Sequence, residues 1–355
     1  MTRRRSTEAP TALDRRALFG LGATALMGSA SRGGGKREEP VAEDASASGA
    51  PAREVKTGGI RLVRVDGKFN VWTKKVGSGK IKMLTLHGGP GATHEYFECF
   101  EDFLPQAGIT FHYYDQLGSH YSDQPEDVSL WTVERFLGEV EQVRSALGLE
   151  DFYLLGHSWG GMLGIEYALK HQKHLKGLII SDMTASVASY MEYAAKLRSK
   201  LPPEVIAVLD RYEAKGEYEA PEYQQAMLGQ VYTRHLCRLD PWPDPVQRTF
   251  KHFNFKVYNT MQGPNEFVIT GNFKDWDRWK DLPRIGVPTL VTGARHDTMN
   301  PDDIRRMGKA IPRSRVVICE NGSHMALYDD QEAYFRGLLG FVRDVEAGRL
   351  GKRRA

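Results

Sequence analysis

The segment Gly156-His157-Ser158-Trp159-Gly160-Gly161 sets a serine between glycines two positions away on either side. It follows the apolar run Phe152-Tyr153-Leu154-Leu155 and precedes a stretch with helical periodicity. A Gly-x-Ser-x-Gly run placed between a strand and a helix holds its serine on a tight, strained turn, with the hydroxyl lifted clear of the sheet. Gly156 and Gly160 remove side chains that would collide there. The helix that starts near Trp159 turns its first N–H groups toward the place where negative charge develops in acyl transfer. The chemistry this predicts is nucleophilic attack by Ser158 on a carbonyl.

A serine nucleophile needs a base, and the base needs an orienting acid. In folds built around such an elbow they follow the serine as acid, then histidine. The apolar run 288–292 leads into Gly293-Ala294-Arg295-His296-Asp297, which puts Asp297 at a loop tip. The run 315–319 leads into Glu320-Asn321-Gly322-Ser323-His324. His324 would take the Ser158 proton and return it to the leaving group, and Asp297 would fix the imidazole tautomer. There are eleven histidines, and position after the last strand singles out His324. His296 adjoins Asp297 but belongs to the wrong element. Asp302 or Asp303 could replace Asp297, although both read as the start of a helix.

Oxyanion stabilisation asks for a second backbone N–H, and the loop His87-Gly88-Gly89-Pro90-Gly91 after the apolar run Met83-Leu84-Thr85-Leu86 can supply it. Gly89 with Trp159 is the expected donor pair, with Gly88 as the alternative. A phosphate-cradling loop is the rival reading, but no Gly-Lys-Ser/Thr follows.

These groups need a scaffold that brings strand ends together. Residues 60–65 and 69–72 flank Asp66-Gly67 and read as a hairpin. Short apolar runs at 82–86, 110–114, 152–155, 178–181, 288–292 and 315–319 read as strands. Stretches at 133–147, 160–171, 302–310 and 331–346 read as helices. Strands apolar on both faces and joined by helices predict an α/β fold with a mostly parallel central sheet covered on both sides. The alternation stops over 183–279, where helices are expected at 191–200, 203–215 and 221–239. A segment of that size fits a helical cap inserted over the C-terminal edge of the sheet, with 54–182 and 280–350 as the core.

Composition bounds the rest. The chain has 355 residues, 41% hydrophobic and 26% charged, which excludes wholesale disorder. A net charge of +3 from 48 basic and 45 acidic residues lacks the basic excess of a nucleic-acid binder. Cys99, Cys237 and Cys319 are too scattered for a disulfide framework or zinc site and are expected as free or buried thiols. Arg3, Arg4, Arg5, Arg15 and Arg16 precede the short apolar run 17–27 and the small residues Gly28, Ser29 and Ala30. Residues 1–30 therefore resemble a twin-arginine export signal, with 31–53 as a flexible linker and a periplasmic address. The arginines exceed Glu8 and Asp14 by three, so 31–355 is formally neutral. No Cys follows the apolar run, which argues against a lipid anchor. The last residues, 351–355, read as a solvated end.

Taken together, His87–Gly91, Tyr114-Asp115-Gln116-Leu117-Gly118-Ser119, 156–161 and Gly322-Ser323-His324 resemble the proline iminopeptidase (prolyl aminopeptidase) family of α/β-hydrolases over residues 58–345. The resemblance implies an α/β-hydrolase fold and release of an N-terminal residue, often proline, from short peptides, amino-acid amides or arylamides through an acyl-enzyme. It implies no metal or organic cofactor. Within Gly263-Pro264-Asn265-Glu266-Phe267 it implies that Glu266 contacts the substrate amine, with Tyr258 lining the same pocket. Two positions depart from the family pattern. Thr298 stands where close members carry a second acid, and His120 stands where a glycine is common. Asp123, Glu95 or Asp182 could supply the missing charge. Phe253, Phe255, Trp276 and Trp279 are expected mostly in the cap core. The Thr298 departure keeps a second expectation open: an amidase or esterase on amino-acid amides, esters or lactones that does not need a free amine. A non-catalytic binding protein on the same scaffold is the third reading, disfavoured by the intact triad.

Overall fold

The computed structural model describes residues 58–350. The expected export signal, the linker and the solvated C-terminal end lie outside the described residues. The first hairpin pairs β1 (Ile60–Val65) with β2 (Phe69–Val76), and its turn residues Asp66 and Gly67 both take positive φ, 52° and 68°. β2 runs past its expected end at Trp72 because Lys74, Lys75 and Val76 pair with Tyr113, His112 and Phe111 of β4 (Ile109–Tyr114). Polar residues on an open sheet face hid that extension from the apolar pattern.

With β3 (Ile81–Leu86), β5 (Phe152–His157), β6 (Leu175–Ser181), β7 (Thr289–Ala294) and β8 (Ser314–Cys319), the chain builds one eight-stranded sheet. Its order is β1-β2-β4-β3-β5-β6-β7-β8, antiparallel at β1/β2 and β2/β4 and parallel elsewhere. The chain leaves β3 toward β4 on one side and returns to β5 on the other. Loops at such a reversal part and leave a crevice at the strand C-termini. The His87–Gly91 loop and the Ser158 turn are the two loops flanking that crevice.

The helices of the core are α1 (Val133–Ala146) and α2 (Trp159–His171). Between β6 and β7 come α3 (Val187–Arg198), α4 (Pro203–Glu213), α5 (Pro221–Met227), α6 (Thr233–His235), α7 (Asp244–Lys251) and α8 (Phe255–Met261). They are followed by α9 (Pro301–Ala310), α10 (Ala326–Asp329) and α11 (Gln331–Glu346). Side-chain alternation along the strands sends Leu178 and Ile180 toward α2, while Ser181 faces Tyr334 of α11. Likewise Val316 meets α9 and Val317 meets α11, so helices cover both faces.

The inserted segment is helical, but it departs from the expected spans. α3 begins earlier than residue 191 because the Ser186 hydroxyl caps it, accepting from the Ser189 N–H at 3.1 Å. The single helix expected over 221–239 is three pieces. A π-helical turn, Leu228–Tyr232, separates α5 from α6, and the chain leaves helical geometry before Pro241 and Pro243, which cannot continue it. Helices α7 and α8 are eight and seven residues long, too short for periodicity to reveal.

The cap is fastened to the loops of the crevice. Asn254 N–H donates to Gly91 O at 2.8 Å and its side chain donates to Gly118 O at 2.7 Å. The His324 and Met325 N–H groups donate to His235 O and Leu236 O at 3.0 and 2.8 Å. All three cysteines are free and buried. Among the described residues, no helix is long and apolar enough to cross a membrane.

Candidate active site

Ser158 is the N-cap of α2 and adopts φ 56°, ψ −126°, a strained conformation for a residue with a Cβ. Its neighbours leave no alternative. A Cβ on Gly160 would lie 2.0 Å from Leu86 O, and one on Gly156 would lie 1.9 Å from Gly160 O. The turn is pinned by Ser158 N–H donating to Ser181 O at 2.9 Å. The hydroxyl is half-buried and makes no hydrogen bond among the described residues. Such bonds often tighten only when substrate binds.

His324 Nδ1 lies 2.8 Å from Asp297 Oδ1, and both side chains are buried. The loop carrying His324 is clamped to the elbow: His157 Nε2 donates to His324 O at 2.8 Å, and the two imidazoles sit 4.8 Å apart between ring centres. Burial, reinforced by the neighbouring His324, holds His157 well below the usual imidazole pKa, so it stays a neutral donor. His324 behaves oppositely. Burial pulls its pKa down, but the charge and hydrogen bond of Asp297 outweigh that and raise it to about 9. Asp302 and Asp303 lie in the first turn of α9, as expected, which leaves Asp297 as the acid at the imidazole.

The loops that carry the candidate oxyanion donors are tied together by hydrogen bonds. Gly88 N–H donates to the Tyr96 hydroxyl at 2.7 Å, so that candidate is occupied. The N–H groups of Gly89 and Trp159 have no acceptor among the described residues. A Cβ on Gly88 would lie 3.0 Å from Ser158 Cβ, which sets the glycine loop directly against the nucleophile. Gln116 joins the two loops: its amide donates to His87 O at 3.1 Å and its carbonyl accepts from Trp159 Nε1 at 2.8 Å. The Gln116 backbone N–H also donates to His87 Nε2 at 3.0 Å.

Glu266 and Tyr258 meet. The Tyr258 hydroxyl donates to Glu266 Oε1 at 2.7 Å, the Gln262 amide donates to the same oxygen at 3.2 Å, and the Tyr190 hydroxyl donates to Oε2. The Thr298 hydroxyl donates to Asp297 Oδ1 at 3.3 Å.

None of the three acids considered as a replacement for the charge missing at Thr298 is free for that role. Asp123 is exposed and accepts from the Asn70 N–H at 2.8 Å. Glu95 is buried and accepts from Thr93, Tyr121, Arg248 and His252. Those donors hold its carboxyl below the usual range although burial works the other way. Asp182 is fully buried beside Asp297. His120 stacks on His252 at 4.1 Å. Trp276 is in the core and donates to Glu166, while Trp279 lies under Arg306. Phe253 packs against Tyr258 at 5.2 Å, and Phe255 is 40% exposed rather than core.

Sequence reasoning missed Tyr96, Tyr190, Gln262 and the placement of Asp182. Only Gln262 left a trace, standing four residues from both Tyr258 and Glu266. Among the described residues no cluster of three or more His, Cys, Asp or Glu side chains is arranged to hold a metal ion.

Residues 83–331 match the α/β-hydrolase fold family. A proline iminopeptidase of Flavobacterium johnsoniae is 48% identical over 283 residues, covering 79% of this chain and 95% of that relative. One from Saccharolobus solfataricus is 39% identical over 281 residues, covering 78% and 90%. Among solved structures, VinJ superposes with a TM-score of 0.77 at 34% identity, covering 81% of this chain and 98% of the other. The proline iminopeptidase of Mycobacterium smegmatis superposes at 0.75 and 32% identity, covering 81% and 99%.

Proposed function

The chain belongs to the proline iminopeptidase-like family of α/β-hydrolases, and from that premise we propose that this serine hydrolase releases an N-terminal residue, proline or a small apolar one, from short peptides and amino-acid amides. The substrate's cationic amine pairs with Glu266 beneath the cap, oriented by Tyr258, Tyr190 and Gln262. That contact sets the first carbonyl over Ser158. His324 takes the hydroxyl proton as Ser158 attacks, and the N–H groups of Gly89 and Trp159 receive the oxyanion. His324 then protonates the departing amine. Water, activated by the same imidazole, hydrolyses the acyl-enzyme. The partner is a small substrate, neither nucleic acid nor membrane.

The observation that carries this reading is the carboxylate of Glu266 held in place in the cap by the Tyr258 and Tyr190 hydroxyls and the Gln262 amide. A panel of free and N-acetylated prolyl arylamides tests it. Acetylation removes the positive charge and is expected to abolish turnover.

A second reading is favoured by Thr298, which leaves one carboxylate where two would bind an amine more strongly. In that reading the enzyme is an amidase or esterase on amino-acid amides, esters or lactones. Equal turnover of free and acetylated substrates would select it.

A further inference from the structure

Behind the triad lies a second acid that the mechanism above does not use. Asp182 follows β6 directly, at φ 51°, and is fully buried. Its N–H donates to Thr292 O at 3.0 Å, which fixes the residue against β7. Its Oδ2 accepts from the Ser181 hydroxyl at 2.7 Å. That hydroxyl is in turn within 3.1 Å of both Thr292 Oγ1 and the Tyr334 hydroxyl. Oδ1 of Asp182 has no partner, and neither does Oδ2 of Asp297, yet both are buried and the two carboxyls are hydrogen-bond neighbours.

Two buried carboxyl oxygens without partners, on neighbouring carboxyl groups, are explained by one proton. A carboxylate pair in such a site cannot hold two charges at close range, so one member keeps its proton and donates. The choice between them is set by geometry. Asp297 has His324 on its other oxygen, so it is the one that benefits from charge. Resting on the triad proposed above, we propose that Asp182 is a positioning residue: it stays protonated and donates through Oδ1 to Oδ2 of Asp297, leaving Oδ1 of Asp297 aimed at His324. Burial, and then the charge of Asp297, push the Asp182 carboxyl well above the ordinary range, in keeping with that state.

The titratable groups facing Asp182 come from every element around it. They are His157 at 3.9 Å on β5, Asp297 after β7, His324 and Cys319 from β8 and its loop, Tyr334 on α11, and Tyr96. The two histidines are the groups that could respond to a charge at this position within the pH range of activity. A charged Asp182 would raise the affinity of His324 for its proton. A neutral donor on Asp297 does the reverse, because it spreads the carboxylate's charge over a third group.

The test reads the rate at which a fluorophosphonate labels Ser158 in the full chain between pH 5 and 10, in wild type, Asp182→Asn and Asp182→Ala. Asparagine keeps a neutral N–H donor toward Asp297, and alanine does not. The expected result is that D182A labels about 10-fold more slowly at neutral pH, with the midpoint of the pH profile moved upward, while D182N restores labelling to within about 3-fold with an unmoved midpoint. If both variants move the midpoint downward, Asp182 acts as a charge and the inference is overturned. If neither moves it, the residue only packs, and the inference is overturned as well. Should D182A fail to fold, Asp182→Leu, which fills the space without a donor, takes its place and is read in the same way against D182N. Wild type that labels elsewhere than Ser158 overturns the proposed function itself, and this inference with it.

Discussion

Tyr190, on α3, donates its hydroxyl to Glu266, 76 residues farther along the chain. It thereby ties the first cap helix to the loop after α8. Tyr190→Phe is expected to raise KM for free-amine substrates roughly 2- to 10-fold, the worth of a neutral hydrogen bond of about 0.5–1.5 kcal/mol, with a smaller change in kcat. Steady-state kinetics on prolyl arylamide checks this, and a variant with wild-type KM removes Tyr190 from the anchor.

Glu266 itself carries more. Replacing it by Gln leaves the shape and removes the charge, so KM for substrates with a free amine should rise roughly 10- to 100-fold, matching a charge-assisted bond of about 1.5–3 kcal/mol. Substrates without a charged amine should be nearly unaffected. A uniform loss across both classes would indicate a damaged pocket rather than a missing partner.

The raised pKa of His324 fixes the pH dependence. In the proposed mechanism the imidazole must be neutral to accept the Ser158 proton, so kcat/KM should climb with pH through a midpoint above the ordinary 6.5 and up to about 9. The same shift stabilises the fold. The contribution is fully present below 6.5 and is lost as pH rises toward about 9. Asp297→Asn should bring the kinetic midpoint down while cutting kcat by orders of magnitude. A rate profile that is flat from pH 6 to 9 contradicts the assignment of the base.

Much of the candidate site was legible because acyl transfer constrains local sequence strongly. The elbow needs glycines at 156 and 160 for steric reasons that any structure of this turn repeats. The chain order of acid and histidine follows from strand order. The cap was less legible. Its helices are short, its one long predicted helix is interrupted by the π turn at Leu228–Tyr232, and short amphipathic segments carry weak periodicity. Tyr190, Tyr96 and Asp182 left no signal because each acts through a partner distant in sequence: Glu266, Gly88 and Asp297. Only tertiary packing brings those pairs together.

Gly160 offers a stability test of the elbow. Its would-be Cβ meets backbone, 2.0 Å from Leu86 O, and backbone cannot step aside as a flexible side chain can. Gly160→Ala should therefore cost more than about 3 kcal/mol or prevent soluble expression. Thermal melting of the purified variant within a degree or two of wild type would be incompatible with this geometry.

The amino-terminal segment calls for a cellular rather than a structural measurement. We propose that residues 1–30 direct export through a twin-arginine route, on the strength of Arg15-Arg16 ahead of the apolar run 17–27. Fused to a reporter that works only after export in folded form, the segment should give signal, and Arg15→Lys with Arg16→Lys should abolish it. A reporter retained in the cytoplasm with the native segment would refute the address.

The most direct test of the whole account is hydrolysis of proline arylamide by the purified enzyme and by Ser158→Ala. The wild type should release arylamine, and the variant should fall by at least roughly four orders of magnitude in kcat while retaining substrate binding. Arylamine release by the variant at the wild-type rate would contradict Ser158 as the nucleophile, and with it the roles assigned to Asp297 and His324.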